Sequence, residues 1–348
     1  MAHKIALNFE DGITRFIDVD ESESIADAAY RQGINVPLDC ANGVCGTCKC
    51  RIESGEYDCG NYLEDALSDG EAAQGYALAC QTRPKTNLVV AIAASSGVCK
   101  TRGQTYRTHL HSVDRLSETT IAFSLERSDA FTFLPGQYVN VLVPGTDQRR
   151  SYSFSSPPGA DTLSFLVRNI PPGVMSTYLR DKAAPGTPVE FIGPAGGFYL
   201  REIKRPLLLL AGGTGLAPFL SMLGKISETG SEQPIQLVYG VTNDVDLVGI
   251  EQLEEFASKI PGFTFLTCVA ATDSAHPRKG YVMAHVESDH LNGGDVDIYL
   301  CGPPPMVDAV RGWLGEQCVT PTNFHYEKFS PSRVAATVGT AQSARMRS

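Results

Sequence analysis

Four cysteines have the spacing of ligands to an iron–sulfur cluster. Cys40, Cys45 and Cys48 form the pattern C-x4-C-x2-C, and Cys80 follows farther along the chain. Three thiolates on one tight loop can hold both irons of a [2Fe–2S] cluster from one side, and a distant fourth thiolate completes the set. The spacing therefore predicts a [2Fe–2S] site with these four ligands.

The glycines of this loop, Gly43 and Gly46, allow the backbone to turn and to aim N–H groups at sulfur. A structural zinc site is the alternative, but such sites usually pair two C-x2-C knuckles, and one is present here. The chain starts without an apolar run of signal-peptide length, so we expect a cytoplasmic protein whose ten cysteines are ligands or reduced thiols, not disulfides. No role is assigned to Cys50, Cys59, Cys99, Cys268 and Cys318.

A polar segment at the end of a predicted strand has residues suited to a flavin. Residues 150–153 read Arg-Ser-Tyr-Ser, which resembles the R-x-Y-S flavin motif of the ferredoxin–NADP reductase superfamily. The resemblance implies that Arg150 forks onto a pyrophosphate and that Tyr152 lies against the isoalloxazine. It also implies that Ser153 reaches flavin N5, where hydride arrives, with Ser151 beside it in the binding site. Taken alone, the four residues could equally be a solvated strand end.

A second loop, Gly173-Val174-Met175-Ser176, resembles the other phosphate loop of the same superfamily. Glycine permits close approach of the backbone, and serine at a helix N-terminus can bind an anionic oxygen. The resemblance makes Gly173, Met175 and Ser176 flavin-binding candidates, together with Arg168, which follows a strand just before the loop. An ordinary serine cap after two prolines is the local alternative.

A glycine-rich turn follows the apolar strand Leu-Leu-Leu-Leu-Ala and opens a helix. It contains Gly212, Gly213, Thr214 and Gly215, and it resembles the G-G-T-G-x-A-P nucleotide loop of the superfamily. A strand, a glycine turn and a helix place pyrophosphate against backbone N–H groups. We expect the pyridine nucleotide to bind here.

Two further motifs complete the resemblance. Cys301 and Gly302 begin the sequence CGPPPM at the end of another strand, and the resemblance implies that the cysteine meets the nicotinamide ring. Glu327 and Phe329 belong to Glu-Lys-Phe near the end of the folded part, which resembles the terminal E-x-aromatic of the family. There the aromatic ring shields the flavin and gives way when nicotinamide stacks. Ser153, Cys301, Glu327 and Phe329 are thus the catalytic candidates.

The stretch after the second strand of the nucleotide region favours NADH over NADPH. Residues 241–246 contain two acids and no arginine, so a 2′-phosphate would meet repulsion where a ribose hydroxyl finds an acceptor. Asp244 is the predicted contact.

The patterns around these motifs predict a multidomain chain. Alternating strands around Asp11-Gly12, a helix over residues 22–31 and the cysteine loop indicate an α+β ferredoxin domain of the β-grasp type. Short β-branched and aromatic runs broken by Pro-Gly pairs predict an antiparallel β-barrel for the flavin. Apolar runs alternating with helical patterns then predict a doubly wound α/β nucleotide domain, with one helix after each strand.

We place the domain boundaries where the patterns change. The expected segments are 1–97 for the [2Fe–2S] ferredoxin domain, 98–104 for a linker, 105–200 for the FAD-binding barrel, 201–330 for the NADH-binding domain and 331–348 for a disordered tail.

The charge is concentrated on the first domain. Residues 1–97 hold 15 acidic and 7 basic side chains, a net charge of −8 out of −10 for the whole chain. This excess argues against a nucleic-acid partner and favours docking to a basic protein surface, although a plain solubility face would look the same. The longest apolar run is too short to cross a bilayer, so no membrane partner is expected.

Together the motifs resemble the reductase components of bacterial ring-hydroxylating systems, most closely the benzoate-type dioxygenases. The resemblance implies FAD, a [2Fe–2S] cluster and NADH as cofactors, with hydride passing to FAD and single electrons passing through the cluster to a terminal oxygenase. The phthalate-type reductases use FMN and carry the ferredoxin at the other end, so the domain order favours FAD. We expect a monomer. The alternatives are the reductase of a multicomponent monooxygenase and a redox sensor or carrier without turnover.

Overall fold

The computed structural model describes residues 2–38, 41–44, 46–100, 104–128 and 131–329. Two of the predicted cluster ligands, Cys40 and Cys45, and the predicted tail 331–348 lie outside these residues. The described chain folds as three successive units, in the predicted order.

The first unit is built on a five-stranded mixed sheet, with the strand order β2-β1-β7-β3-β5. The predicted hairpin is confirmed as β1 paired antiparallel with β2, and the buried Ile5 and Leu7 alternate with more exposed residues on β1. The predicted helix is α1, whose N-cap Ser24 accepts a hydrogen bond from the Asp27 backbone N–H. The elements are β1 Ala2–Phe9, β2 Thr14–Asp20, α1 Ile25–Arg31, β3 Lys49–Ser54, β4 Tyr57–Asp58, α2 Asp69–Ala73, β5 Tyr76–Leu78, β6 Arg83–Pro84, β7 Leu88–Ile92 and a 3₁₀ helix Val98–Lys100.

The second unit is an antiparallel sheet of six strands in the order β11-β10-β13-β8-β9-β12. A bridge between Phe154 and Phe165 joins the two edges, which closes the sheet into a barrel. Aromatic side chains fill the interior, and the rings of Phe133 and Phe154 stack with centroids 3.7 Å apart. The elements are β8 Gln104–Arg115, β9 Thr120–Glu126, β10 Tyr138–Leu142, β11 Arg149–Ser153, β12 Thr162–Arg168, α3 Val174–Asp181 and β13 Pro188–Ala195.

The third unit is a five-stranded parallel sheet with the order β16-β15-β14-β17-β18. Apolar clusters cover both of its faces, as the continuous apolar strands require. The elements are β14 Leu207–Gly212, a 3₁₀ helix Gly213–Leu216, α4 Ala217–Thr229, β15 Ile235–Val241, a 3₁₀ helix Asp244–Asp246, α5 Ile250–Lys259, β16 Phe263–Val269, a 3₁₀ helix Val282–His285, α6 Ser288–Leu291, a 3₁₀ helix Asn292–Gly294, β17 Asp297–Gly302, α7 Pro304–Glu316 and β18 Asn323–Lys328.

One expected helix is much shorter than its pattern suggested. The segment between β16 and β17 forms only the four-residue α6 and short 3₁₀ turns. Pro277, Gly280 and the pair Gly293-Gly294 interrupt this segment, and each of them disfavours a continuous helix. The carboxyl ends of β14, β15, β17 and β18 nevertheless meet at one edge of the sheet, as in a doubly wound fold.

Candidate active site

The cysteine loop is packed closely enough to require glycine at two positions. Gly43 and Gly46 have φ values of +78° and +76°, and a Cβ on Gly43 would overlap the Asn61 carbonyl oxygen. Cys48 and Cys80 are both buried. The Cys48 carbonyl oxygen accepts a hydrogen bond of 3.0 Å from the backbone N–H of Ala79, which brings the two cysteine segments together.

The donor set fits a [2Fe–2S] cluster. The buried thiols of Cys48 and Cys80 lie on adjoining segments. The glycine-containing loop also includes the other two predicted ligands, Cys40 and Cys45, which lie outside the described residues. Three other cysteines are packed in apolar surroundings. Burial raises the pKa of Cys50 and of Cys99 to about 12 and that of Cys268 to about 11, so these are inert thiols packed in the cores.

The flavin motif forms β11, an edge strand of the barrel sheet that pairs with β10. Arg150 donates a hydrogen bond of 2.7 Å to Gln148 Oε1, and the Ser151 hydroxyl donates one of 2.7 Å to Asn140 Oδ1. Burial raises the pKa of Tyr152, so the phenol stays neutral. Ser153 is buried at the end of the strand. The segment is therefore an ordered strand, with Ser151 exposed and Ser153 buried.

The second predicted phosphate loop opens α3. Gly173 is the N-cap, and a Cβ there would lie 2.5 Å from the Ile170 carbonyl oxygen and 2.7 Å from Ser176 Oγ, so the close approach requires glycine. The Ser176 hydroxyl donates a hydrogen bond of 3.1 Å to the Ile170 carbonyl oxygen. Its proton is therefore already used in a hydrogen bond within the loop. Met175 is buried in the barrel core, and Arg168 is exposed at the end of β12.

A cavity of about 570 Å³ lies beside this loop. It is bounded by the turn after β10 and by the start of α3, including Thr146, Pro172, Tyr178 and Lys182. Its volume falls in the range of small-molecule sites. Pro172 and Val174, the neighbours of Gly173 in sequence, are among its lining residues.

The glycine turn after β14 packs directly against the CGPPPM segment. A Cβ on Gly215 would overlap the Cys301 carbonyl oxygen, and one on Gly212 would overlap the Met306 sulfur. Gly213, by contrast, has a φ of +56° and no atom within 4 Å of a Cβ position. Two glycines of this turn thus allow the segments to touch, and the third leaves its backbone open to a ligand.

Three predicted catalytic side chains meet where the barrel and the parallel sheet adjoin. The Ser153 hydroxyl donates a hydrogen bond of 3.1 Å to Glu327 Oε2, although the two residues are 174 positions apart. Cys301 lies opposite Glu327 in the pairing of β17 with β18. Burial, and next the Glu327 charge, raise the pKa of the Cys301 thiol well above its ordinary value, so it is a neutral group. Phe329 follows on the same strand end, half-buried.

The two acids after β15 have different surroundings. Asp246 accepts hydrogen bonds on Oδ1 from the Thr119 hydroxyl and on Oδ2 from the Asn243 backbone at 2.9 Å, so both of its oxygens are engaged within the protein. Asp244 is exposed and accepts one hydrogen bond of 2.8 Å on Oδ1 from Ser274. Asp244 is thus the acid with an oxygen facing solvent. Sequence patterns gave no sign of Ser274, since it lies 30 positions away on another loop.

Known protein families match three successive parts of the chain. Three family models match in succession: a 2Fe-2S iron-sulfur cluster binding domain over residues 8–85, an oxidoreductase FAD-binding domain over residues 107–199, and an oxidoreductase NAD-binding domain over residues 209–312. The toluate 1,2-dioxygenase electron transfer component of Pseudomonas putida is 56% identical over 335 residues, which are 95% of this chain and 100% of that protein. The chain belongs to the family of 1,2-dioxygenase electron transfer components.

Other members and solved structures extend the likeness. The 2-halobenzoate 1,2-dioxygenase electron transfer component of Burkholderia cepacia is 51% identical, over 95% of this chain and 99% of that one. The Amycolatopsis cytochrome P450 reductase GcoB has a TM-score of 0.69 and 32% identity, over 94% of this chain and 99% of that one. The ferredoxin reductase in carbazole 1,9a-dioxygenase has a TM-score of 0.66 and 25% identity, over 95% and 99% of the two chains.

This electron transfer component is therefore an oxidoreductase that uses NADH, FAD and a [2Fe–2S] cluster. The glycine turns, the buried thiols and the cavity beside α3 fit those groups. When bound, the flavin supplies the conversion of a two-electron hydride into single electrons that the cluster carries. Within the described residues, no helix has the length and apolar character needed to span a membrane.

Proposed function

We propose that this protein delivers single electrons to the terminal oxygenase of an aromatic-ring dioxygenase, of the benzoate type. Support comes from the 56% identity to a toluate 1,2-dioxygenase component along that protein's whole length. Relatives that serve a propane 2-monooxygenase reach only 31% identity. The reductase of a monooxygenase thus remains the second candidate, with the same cofactors and another partner.

The observation that carries the chemical part of the proposal is the hydrogen bond between Ser153 and Glu327, at the junction of the barrel and the nucleotide domain. In this proposal Ser153 lies at flavin N5 and the neutral Cys301 packs against the nicotinamide, with no charge to oppose hydride transfer. Glu327 orients the serine hydroxyl and would hold a negative charge beside a bound nicotinamide. Phe329 would cover the flavin ring.

The remaining site residues hold the cofactors in this proposal. Cys40, Cys45, Cys48 and Cys80 ligate the cluster. The guanidinium of Arg150 binds the flavin pyrophosphate. Asp244 accepts from a ribose hydroxyl of NADH. The other proposed contacts are Ser151, Tyr152, Arg168, Gly173, Met175 and Ser176 for FAD, and Gly212, Gly213, Thr214, Gly215 and Gly302 for NADH.

The proposed exit for electrons is the surface beside the cysteine loop. Val44 and Leu63 are exposed apolar side chains there, and the exposed acids Glu64 and Asp65 adjoin Leu63. An apolar centre with an acidic rim suits a partner whose docking face is basic around an apolar patch. We further propose that the protein acts as a monomer in the cytoplasm, where NADH is supplied and thiols stay reduced.

Reconstitution tests the partner. The purified protein, loaded with FAD and cluster, is mixed with NADH and with either a benzoate-type oxygenase or a propane-type monooxygenase, and product formation is measured. We expect turnover with the first oxygenase and little with the second. NADH oxidation with ferricyanide is the control for an intact reductase, and equal support of both oxygenases would contradict the benzoate-type assignment.

A further inference from the structure

A group of opposite charges lies between the first and third units, around one buried carboxylate. Glu71, at the end of the first turn of α2, is 5% exposed. Its Oε1 accepts a hydrogen bond of 2.7 Å from Lys49 Nζ of the same unit, and it forms an ion pair of 2.7 Å with Arg311 Nη1 of α7. One carboxylate oxygen therefore joins two cations that belong to different domains.

Strand β18 contributes two more contacts to the same boundary. The Tyr326 hydroxyl accepts a hydrogen bond of 2.7 Å from Lys49 Nζ, and it donates to Glu71 Oε1 at 3.4 Å. Lys328, whose side chain is 6% exposed, donates to the backbone carbonyl oxygen of Asp65 and pairs with Asp308 at 2.9 Å. Tyr326 and Lys328, the two sequence neighbours of Glu327, thus both form hydrogen bonds with the first unit.

A second ion pair joins the units at a distance from the first. Arg201 donates two hydrogen bonds of 3.0 Å from Nη2 to the oxygens of Glu10, and its Nε donates to Oε2 at 3.2 Å. The guanidinium lies over the Tyr199 ring, with its carbon 4.0 Å from the ring centroid. The Tyr199 hydroxyl in turn accepts a hydrogen bond of 3.0 Å from the Ser95 backbone N–H. The first unit is therefore attached at two separate points, which restrains its rotation.

Residues of this domain boundary are next to residues of the two proposed redox sites in the sequence. Lys49 directly follows Cys48, and Tyr326 and Lys328 flank Glu327. The hydrogen bond from Lys49 to Tyr326 therefore joins the residue that follows the proposed ligand Cys48 to the strand whose Glu327 contacts Ser153. A solvated surface pair would have no fixed geometry, but the side chains of Lys49 and Glu71 are only 12% and 7% exposed and have several partners each.

We propose that Glu71, Arg311 and Tyr326 form a clamp that keeps the ferredoxin domain docked during turnover and sets the flavin-to-cluster distance. They are positioning residues. Each electron leaves the reduced flavin and is taken up by the oxidised cluster, with no bond formed or broken between them, so the rate of this step depends on the docked geometry. The inference rests on the proposed assignment of Cys48 as a cluster ligand.

The test uses Arg311→Gln and Glu71→Gln in the loaded full-length protein. Loss of Arg311 leaves the clamp without its cross-domain cation, and loss of the Glu71 charge leaves Lys49 and Arg311 without the carboxylate that pairs them. We expect the radius of gyration from small-angle scattering to rise in both variants. In stopped-flow experiments the flavin-to-cluster step should slow about tenfold or more, since the population of the docked state falls. Reduction of FAD by NADH should be unchanged.

Two controls separate the clamp from general damage. Arg31→Gln removes an ion pair of the same 2.7 Å length, with Glu23, that lies wholly within the first unit and is more exposed, and it should change neither the scattering nor the flavin-to-cluster step. Arg311→Lys keeps the cation and should restore most of the rate. Iron content is measured in every variant, and because Arg311 lies outside the first unit, a normal iron content is expected for Arg311→Gln. Unchanged scattering and an unchanged internal rate in Arg311→Gln would overturn the proposal. Iron loss in that variant would also count against it, since the clamp would then be part of the cluster site.

Discussion

At the scale of single residues, two aspartates close in sequence differ in how their carboxylates are hydrogen-bonded. Both oxygens of Asp246 are held by Thr119 and Asn243, whereas Asp244 accepts a bond from Ser274 on one oxygen and faces solvent. A hydrogen-bonded carboxylate whose direction is fixed is a better acceptor for a ribose hydroxyl than a freely rotating one.

Replacing Asp244 should therefore change the choice of nucleotide. In Asp244→Asn we expect kcat/KM for NADH to fall roughly tenfold, the usual effect of losing a hydrogen bond to a charged group. The value for NADPH should rise, because the charge that repels its 2′-phosphate is gone. Steady-state ferricyanide assays with both nucleotides measure this, and Asp273→Asn on the neighbouring exposed loop is the control. Comparable kcat/KM values for the two nucleotides in the wild-type protein would contradict the assignment.

The cluster ligands give a second prediction at this scale. In Cys80→Ser a hard hydroxyl replaces a thiolate, so iron should be lost or much reduced. The flavin should stay bound, because its site is built from another unit. Visible absorption and iron analysis measure both cofactors. Loss of FAD from a folded Cys80→Ser protein would show that the units are not independent, and Cys99→Ser, a buried thiol outside the loop, should retain the cluster.

At the scale of elements, β18 serves the site and the domain boundary at once. It carries Glu327 toward Ser153, and it carries Tyr326 and Lys328 toward the first unit. His325 on the same strand lies against Tyr299, with ring centroids 4.7 Å apart. Burial, and next the Arg201 charge, lower the pKa of His325 to about 3.

This depressed pKa makes stability depend on pH in a definite direction. Below the ordinary histidine pKa of about 6.5, the unfolded chain takes up a proton that the folded chain refuses until about pH 3. Stability is therefore lost as the pH falls through that window. We expect the melting temperature of His325→Phe to fall less steeply from pH 6.5 to 4 than that of the wild type. An exposed-histidine variant, His111→Asn, should follow the wild-type curve, and identical slopes for all three proteins would refute the assignment.

The sequence predicted local features better than contacts between elements. The strand ends that carry Ser153 and Cys301 could be read from alternation and glycine turns, because such signals depend on neighbouring residues. The bond from Lys49 to Tyr326 spans 277 positions, and no local pattern marks either side chain as buried in an interface. The prediction of a full helix after β16 was wrong for a local reason. A proline and several glycines in that segment disfavour a continuous helix despite its apolar pattern.

At the scale of the whole molecule, the chain can be divided before the barrel. Strand β8 begins at Gln104, so a fragment that starts near Lys100 keeps every strand of the barrel and of the parallel sheet. Removing residues 1–97 also uncovers Tyr326 and Arg201, which face the first unit in the intact protein. The fragment should therefore fold with its flavin site complete but with lower stability.

We expect this fragment to reduce ferricyanide from NADH at a rate near that of the full chain, since a small acceptor can take electrons from the flavin directly. Its delivery of electrons to an oxygenase should collapse, because the cluster and the −8 charge of residues 1–97 are gone. Product formation with a benzoate-type oxygenase is the measurement. Full turnover by the fragment would mean that the ferredoxin domain is not the outlet.

The two ion pairs that attach the first unit imply that this domain does not move away from the others during turnover. A domain that had to leave the flavin and travel to its partner would be slowed by friction with the solvent, whereas a docked domain passes electrons through packed protein. Added glycerol should then slow the encounter with the oxygenase and leave the internal transfer at its original speed. The surface beside Val44 would then stay exposed to the oxygenase in every step of the catalytic cycle.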